Sequence, residues 1–130
     1  MYTGAPLTPE ITVTLGGKQI ADTEYDVDYS GNTDKGTATV TITGKHNYTG
    51  TASETFTISA MDISKCVVSP IASVVYDGTA HSPKVTVKNG EIVLTEGSDY
   101  DVTYSDNVSV TTDSRKAKAT ITGRGNYTGQ

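Results

Sequence analysis

Apolar and polar residues alternate along several stretches of this chain. From Ala38 to Thr43, the apolar Ala38, Val40 and Ile42 are separated by Thr39, Thr41 and Thr43. Successive side chains of a strand point to opposite faces, so this pattern predicts a strand with threonines turned to solvent. The run from Ala117 to Thr122 repeats it, with Ala117, Ala119 and Ile121 inward and Lys118, Thr120 and Thr122 outward. Tyr25, Val27 and Tyr29 make a third inner face, which leaves Asp26 and Asp28 outside. No stretch of helix length carries a helical period.

Turn chemistry supplies the joints. Asn89-Gly90 lies between the apolar runs Val85 to Val87 and Ile92 to Leu94. It predicts a two-residue hairpin whose central residues both take positive φ. Leu15-Gly16-Gly17 is expected to turn the chain in the same way earlier on.

The alternating blocks occur twice, in the same order. Tyr2-Thr3-Gly4 returns 74 residues later as Tyr76-Asp77-Gly78, and Pro9 to Val13 returns as Pro83 to Val87. Tyr25 to Ser30 returns 75 residues later as Tyr100 to Ser105. Ala38 to Gly44 and Asn47 to Gly50 return 79 residues later, as Ala117 to Gly123 and Asn126 to Gly129. The growing offset places one added residue between Leu15 and Tyr25 and four more within Val108 to Ser114. Insertions are tolerated in surface loops, so both places are predicted to be loops. Thr51 aligns with Gln130, so the second copy has no counterpart of Ala52 to Ile58. Nothing before Met1 matches Ile63 to Val75. The expected architecture is therefore all-β: two tandem small Ig-like β-sandwich modules, residues 1–60 lacking a first strand and 61–130 lacking a last one. Each is expected to leave a sheet edge exposed.

Composition agrees with strands. Hydrophobic residues make up 35% of 130 residues and charged ones 19%. Thr, Val, Ile and Tyr fit a pleated, half-buried surface. The formal charge of −5, with no Lys/Arg cluster, disfavours nucleic acid and anionic membrane surfaces. No apolar run approaches the ~20 residues that span a bilayer, and the start carries no signal-peptide pattern. Cys66 is the single cysteine; within an apolar run it is expected to be a buried small hydrophobe.

Candidate chemistry is sparse. His46 and His81 occupy unrelated positions in the two copies, and the place of His46 is taken by Gly125, which marks a loop residue. His81-Ser82 beside Asp77 resembles a triad only in composition, since triads are assembled in space rather than in sequence. Asp22, Glu24, Asp26 and Asp28, with Glu96, Asp99 and Asp101, supply the oxygen ligands that calcium favours. Their spacing matches no calcium loop, and a charged outer strand face accounts for them. Gly123 to Gly129 has neither the spacing nor the following helix of a nucleotide loop. No catalytic, cofactor or metal residue is expected, and the chain reads as no enzyme. Tyr2, Tyr48, Tyr76 and Tyr127 lie beside turns, where they suit packing at the module ends or stacking on sugar rings. Were a ligand bound, the inserted loop would hold it, through Val108, Thr111, Asp113 and Arg115 with Tyr127 nearby.

The segments Tyr2 to Pro9, Glu24 to Asn32 and Gly36 to Gly50, with their second-copy partners, resemble the Ig-like tandem repeats of large Gram-positive cell-surface and secreted proteins. The resemblance spans essentially the whole chain and departs at Val108 to Lys116, where a longer charged loop replaces the Gly36-Thr37-Ala38 block. It implies an extracellular location, at the bacterial surface or secreted, and neighbouring repeats of the same chain as partners. It also implies a role as spacer or adhesin stalk, with binding of a glycan or host glycoprotein as the alternative.

Overall fold

Thr14-Leu15 and Lys18-Gln19 can pair only if the two residues between them reverse the chain tightly. Gly16 and Gly17 do so at φ of 57° and 80°, a left-handed pair that suits the twist of the flanking strands. This hairpin of β1 (Thr14–Leu15) and β2 (Lys18–Gln19) opens the first unit of the molecule. The computed structural model describes residues 1–112 and 115–130. The chain is all-β: its elements among the described residues are strands and two three-residue 3₁₀ turns. It divides into two compact units, Met1–Ser59 and Ala60–Gln130.

In the first unit a 3₁₀ turn, Asp22–Glu24, leads into β3 (Tyr25–Ser30), β4 (Gly36–Gly44) and β5 (Thr51–Ile58). These form one antiparallel sheet in the order β3-β4-β5, with Tyr25 opposite Gly44 and Ala38 opposite Phe56. Ala38, Val40 and Ile58 are buried; removing such aliphatic side chains from water is worth about 1.5–3 kcal/mol for each of the larger ones. On the other face, the Thr41 and Ser53 hydroxyls lie 3.2 Å apart across the strands. Tyr29 meets the edge of Phe56 at 6.4 Å between ring centroids and 76° between planes, a favoured aromatic geometry. Val27 is exposed, so the inner face expected of β3 is closed at Tyr25 and Tyr29 but open between them.

The second unit begins with β6 (Met61–Asp62), a 3₁₀ turn Ile63–Lys65, and β7 (Val67–Val68). The Asp62 carboxylate accepts the Ser64 N–H at 3.0 Å and so caps that turn. β8 (Val87–Asn89), β9 (Ile92–Val93), β10 (Tyr100–Ser105), β11 (Lys118–Gly123) and β12 (Tyr127–Thr128) follow. They make a β7-β8-β9 sheet, a β10-β11 pair, and a parallel β12-β6 pair. Ile63, Val85, Val87, Leu94, Tyr100 and Tyr127 form the core. The β8–β9 loop is Gly90-Glu91, not Asn89-Gly90: Asn89 is still in β8, and only Gly90, at φ 58°, is left-handed. Asn89 pairs with Ile92 and closes the hairpin one residue on from the Asn-Gly signal.

The repeated residues make the same bonds in both units. Tyr29 donates its hydroxyl proton to the Pro9 carbonyl at 2.5 Å, and Tyr104 does so to Pro83. Asn32 and Asn107 donate side-chain amides to the Leu7 and His81 carbonyls at 3.0 and 2.9 Å. Lys45 pairs with Asp26 at 2.7 Å, and Arg124 with Asp101 at 3.0 Å. Gly44 and Gly123 recur because the returning chain passes over them: a Cβ would lie 2.8 Å from the Tyr48 carbonyl carbon and 2.7 Å from the Thr128 nitrogen. The inward face expected at Ala117, Ala119 and Ile121 is corrected, since Ala117 is exposed and the other two are half-buried. In the first unit β5 pairs with the equivalent residues of β4, whereas among the described residues β11 pairs with β10.

Candidate functional site

A site with room for a ligand lies in the second unit, beside β11. It is a cavity of about 340 Å³, the lower end of small-ligand pocket sizes. Tyr104 enters from β10 and Ala117 and Ala119 from β11 and its approach, and Ile71 and Val74 also line it. Tyr104 is held in place by its bond to the Pro83 carbonyl, and Pro83 lines the same space. The rim is apolar and open, because Val74, Tyr76 and Val110 are 53%, 58% and 60% exposed.

The inserted loop contributes Val108 and Thr111 to this lining. Arg115 is exposed and forms an isolated bridge with Thr112, its N–H donating to the Thr112 hydroxyl at 3.2 Å. Asp113 lies outside the described residues. Tyr127 requires a correction: it is 2% exposed, because β12 is zipped against β6, so its ring belongs to the core and offers no stacking face. Ile71, Val74, Tyr104 and Ala117 were not legible as site residues. Their signal was nonetheless present, since Ala117 aligns with Ala38, which stands opposite Phe56 in the first unit.

His81 Nε2 approaches Asp77 Oδ1 at 3.1 Å. Among the described residues the hydroxyl bonded to this pair is that of Thr79, and it donates to Asp77 at 2.6 Å rather than to the imidazole. A nucleophile would have to donate to the imidazole base, so the arrangement is a turn clasp and not a triad. The Thr79 hydroxyl and then its amide hold the Asp77 carboxyl below its ordinary value, with the nearby His81 adding less. His46 sits at φ 53° where Gly125 sits at 55°. That left-handed position explains the exchange with glycine.

The acidic residues do not converge. Asp26 and Asp101 are in ion pairs, and the Asp99 carboxylate accepts the Thr95 N–H at 2.8 Å. Among the described residues no group of three or more His, Cys, Asp or Glu could hold a metal ion. Cys66 is half-buried rather than buried, since β7 is an edge strand with Val67 65% exposed. Burial still pushes its thiol pKa up, and the charge of Asp62 adds to this. No helix among the described residues is long and apolar enough to cross a membrane.

No family model, curated protein or solved structure matches the chain.

Proposed function

We propose that the chain is a pair of Ig-like β-sandwich modules in series, acting as a structural spacer of a bacterial cell-surface or secreted adhesin-like protein. One observation carries the reading: the repeated residues are those that make scaffold bonds. Tyr29 and Tyr104, Asn32 and Asn107, and Lys45 and Arg124 each tie one segment to another in both units. What recurs is architecture, whereas the largest difference lies in the 108–114 loop. A spacer needs a reproducible frame and no reacting centre, and its neighbours are further repeats of the same kind.

A second reading has its own support, because Val108 and Thr111 of the inserted loop border the cavity. On that reading the second unit binds a glycan or a host glycoprotein. An array of mucin, plant and bacterial glycans, probed with and without Ca²⁺, separates the two. A spacer is expected to retain no glycan in either condition. Specific retention that disappears when 108–114 is shortened would overturn the spacer in favour of recognition.

A further inference from the structure

The leading segments of the two units share a backbone frame but not its chemistry. Thr3-Gly4-Ala5-Pro6-Leu7 corresponds to Asp77-Gly78-Thr79-Ala80-His81. Gly4 and Gly78 turn the chain at φ of 85° and 81°. Within each turn the Ala5 N–H donates to the Thr3 hydroxyl at 3.4 Å, and the Thr79 N–H to the Asp77 carboxylate at 2.9 Å. Leu7 and His81 then bond both ways to an asparagine. The Leu7 N–H donates to the Asn32 carbonyl at 2.8 Å and the His81 N–H to the Asn107 carbonyl at 3.0 Å, and each asparagine returns its side-chain amide. The second unit thus carries an imidazole and a carboxylate where the first carries an aliphatic chain and a hydroxyl.

Those two groups meet. His81 Nε2 lies 3.1 Å from Asp77 Oδ1, is itself buried, and makes no aligned hydrogen bond among the described residues. The Thr79 hydroxyl and amide fix the carboxylate and hold its pKa below the ordinary value of 3.8, so it stays charged into acid. A neutral imidazole has one N–H for two nitrogens, whereas a protonated ring carries one on each. Proton uptake therefore guarantees a donor at Nε2 and sets a full charge against the carboxylate, which makes the stronger bond. The other titratable groups lining the same space are Tyr76, Tyr104 and Lys118, and Asp106, beside Asn107, is exposed. Tyrosines are neutral where histidine titrates and Lys118 is cationic, so Asp77 is the lining group that attracts an imidazolium. We infer that His81 and Asp77 form a proton-operated clasp, with no counterpart at Leu7 and Thr3. In acid the pair closes and fastens the 77–81 segment to Asn107, at the root of the inserted 108–114 loop; at higher pH it slackens. The closed window runs from the range in which histidine gains its proton down to the pH at which Asp77 loses its charge.

The test follows amide exchange and the imidazole signals of the full chain by NMR between pH 8 and pH 5, with exchange rates corrected for their intrinsic pH dependence. The His81 amide, bonded to Asn107, reports on the clasp, and the Leu7 amide, bonded to Asn32, is the internal control. Protection at His81 is expected to rise about two- to fivefold on acidification, the range of a partly exposed ion pair, with its midpoint at the titration of the His81 ring. Leu7 is expected to stay level. His46, which lies 3.7 Å from Glu24 in the first unit, titrates as a separate signal. His81→Leu and Asp77→Thr, which restore the residues of the first unit, are each expected to abolish the pH response at position 81. Should either variant misfold, the coincidence of the two midpoints in the unaltered chain decides alone. Level protection at His81 while its ring titrates, an equal rise at Leu7, or a response that survives His81→Leu would each overturn the proposal. None of these outcomes bears on glycan retention, so this proposal and the spacer reading fail separately.

Discussion

The two units use one set of repeated residues but bury different members of it. In the first, the core gathers around β4 and β5, at Ala38, Val40 and Ile58. In the second it gathers around β8, β12 and the leading segment, at Ile63, Val87, Leu94, Tyr100 and Tyr127. The counterparts of these last four in the first unit, Val13, Ile20, Tyr25 and Tyr48, are only half-buried. The cause is which segment covers these residues in each unit. Residues 61–68 give the second unit β6 and β7, so Tyr127-Thr128 becomes a strand while Tyr48-Thr49 does not. Gly129 shows the same closure: a Cβ there would lie 2.7 Å from the Asp62 carboxylate, whereas at Gly50 it would meet nothing within 4 Å. Burial is thus a property of the covering segment as much as of the residue covered.

The sharpest test of that contrast is to empty each core in turn. Ile58→Ala and Leu94→Ala are each expected to cost about 2–5 kcal/mol, each in the unit that carries the residue. Amide exchange at β4 and β11 reads the two separately. Equal loss in both units from either change would break the comparison.

Next come the close approaches shared by the two units. Gly44→Ala and Gly123→Ala press a Cβ into backbone that cannot step aside. Each is expected to cost about 1–3 kcal/mol, measured by urea unfolding. A neutral result at Gly44 alone would mean that the less anchored Tyr48 segment of the first unit can yield where β12 cannot.

Smaller effects are expected at the tyrosines. Tyr29→Phe and Tyr104→Phe delete equivalent hydrogen bonds, and a loss of about 0.5–1.5 kcal/mol is expected for each. The Tyr104 bond is the more buried of the two, so its loss is expected to be the larger in thermal unfolding.

The mildest difference is in acid. The Ser64 amide, then its hydroxyl, holds the Asp62 carboxyl below the ordinary value of 3.8, and Thr79 does the same for Asp77. Both groups belong to the second unit. A lowered folded-state pKa means that the unfolded chain binds more protons as the pH falls. The stabilisation is therefore present above about pH 4 and is lost as the pH drops through the folded values. Asp62→Asn with Asp77→Asn is expected to flatten the acid limb of unfolding for the second unit and leave the first unchanged.

Strand positions were legible wherever alternation was clean, because the side-chain period of a strand depends on local backbone geometry alone. β3, β4, β10 and β11 lie where Tyr25 to Ser30, Ala38 to Gly44 and their copies alternate. The recurrence of Gly44 and Gly123, of Tyr29 and Tyr104, and of Asn32 and Asn107 was equally visible, although the reason for each became clear only from its partner. Depth was not legible. Ala117 reads like Ala38 in sequence, yet one is open and the other sealed, since nothing within β11 records whether a strand lies beside it. The candidate site was half legible for the same reason: the insertion drew attention to Val108 and Thr111, while Tyr104 and Ala117 matter through what the first unit places against their equivalents. By itself the sequence determined strand period and repeat; tertiary structure decided the burial of Ala38 and of Tyr127, because each depends on a segment distant in the chain, β5 for Ala38 and β6 for Tyr127.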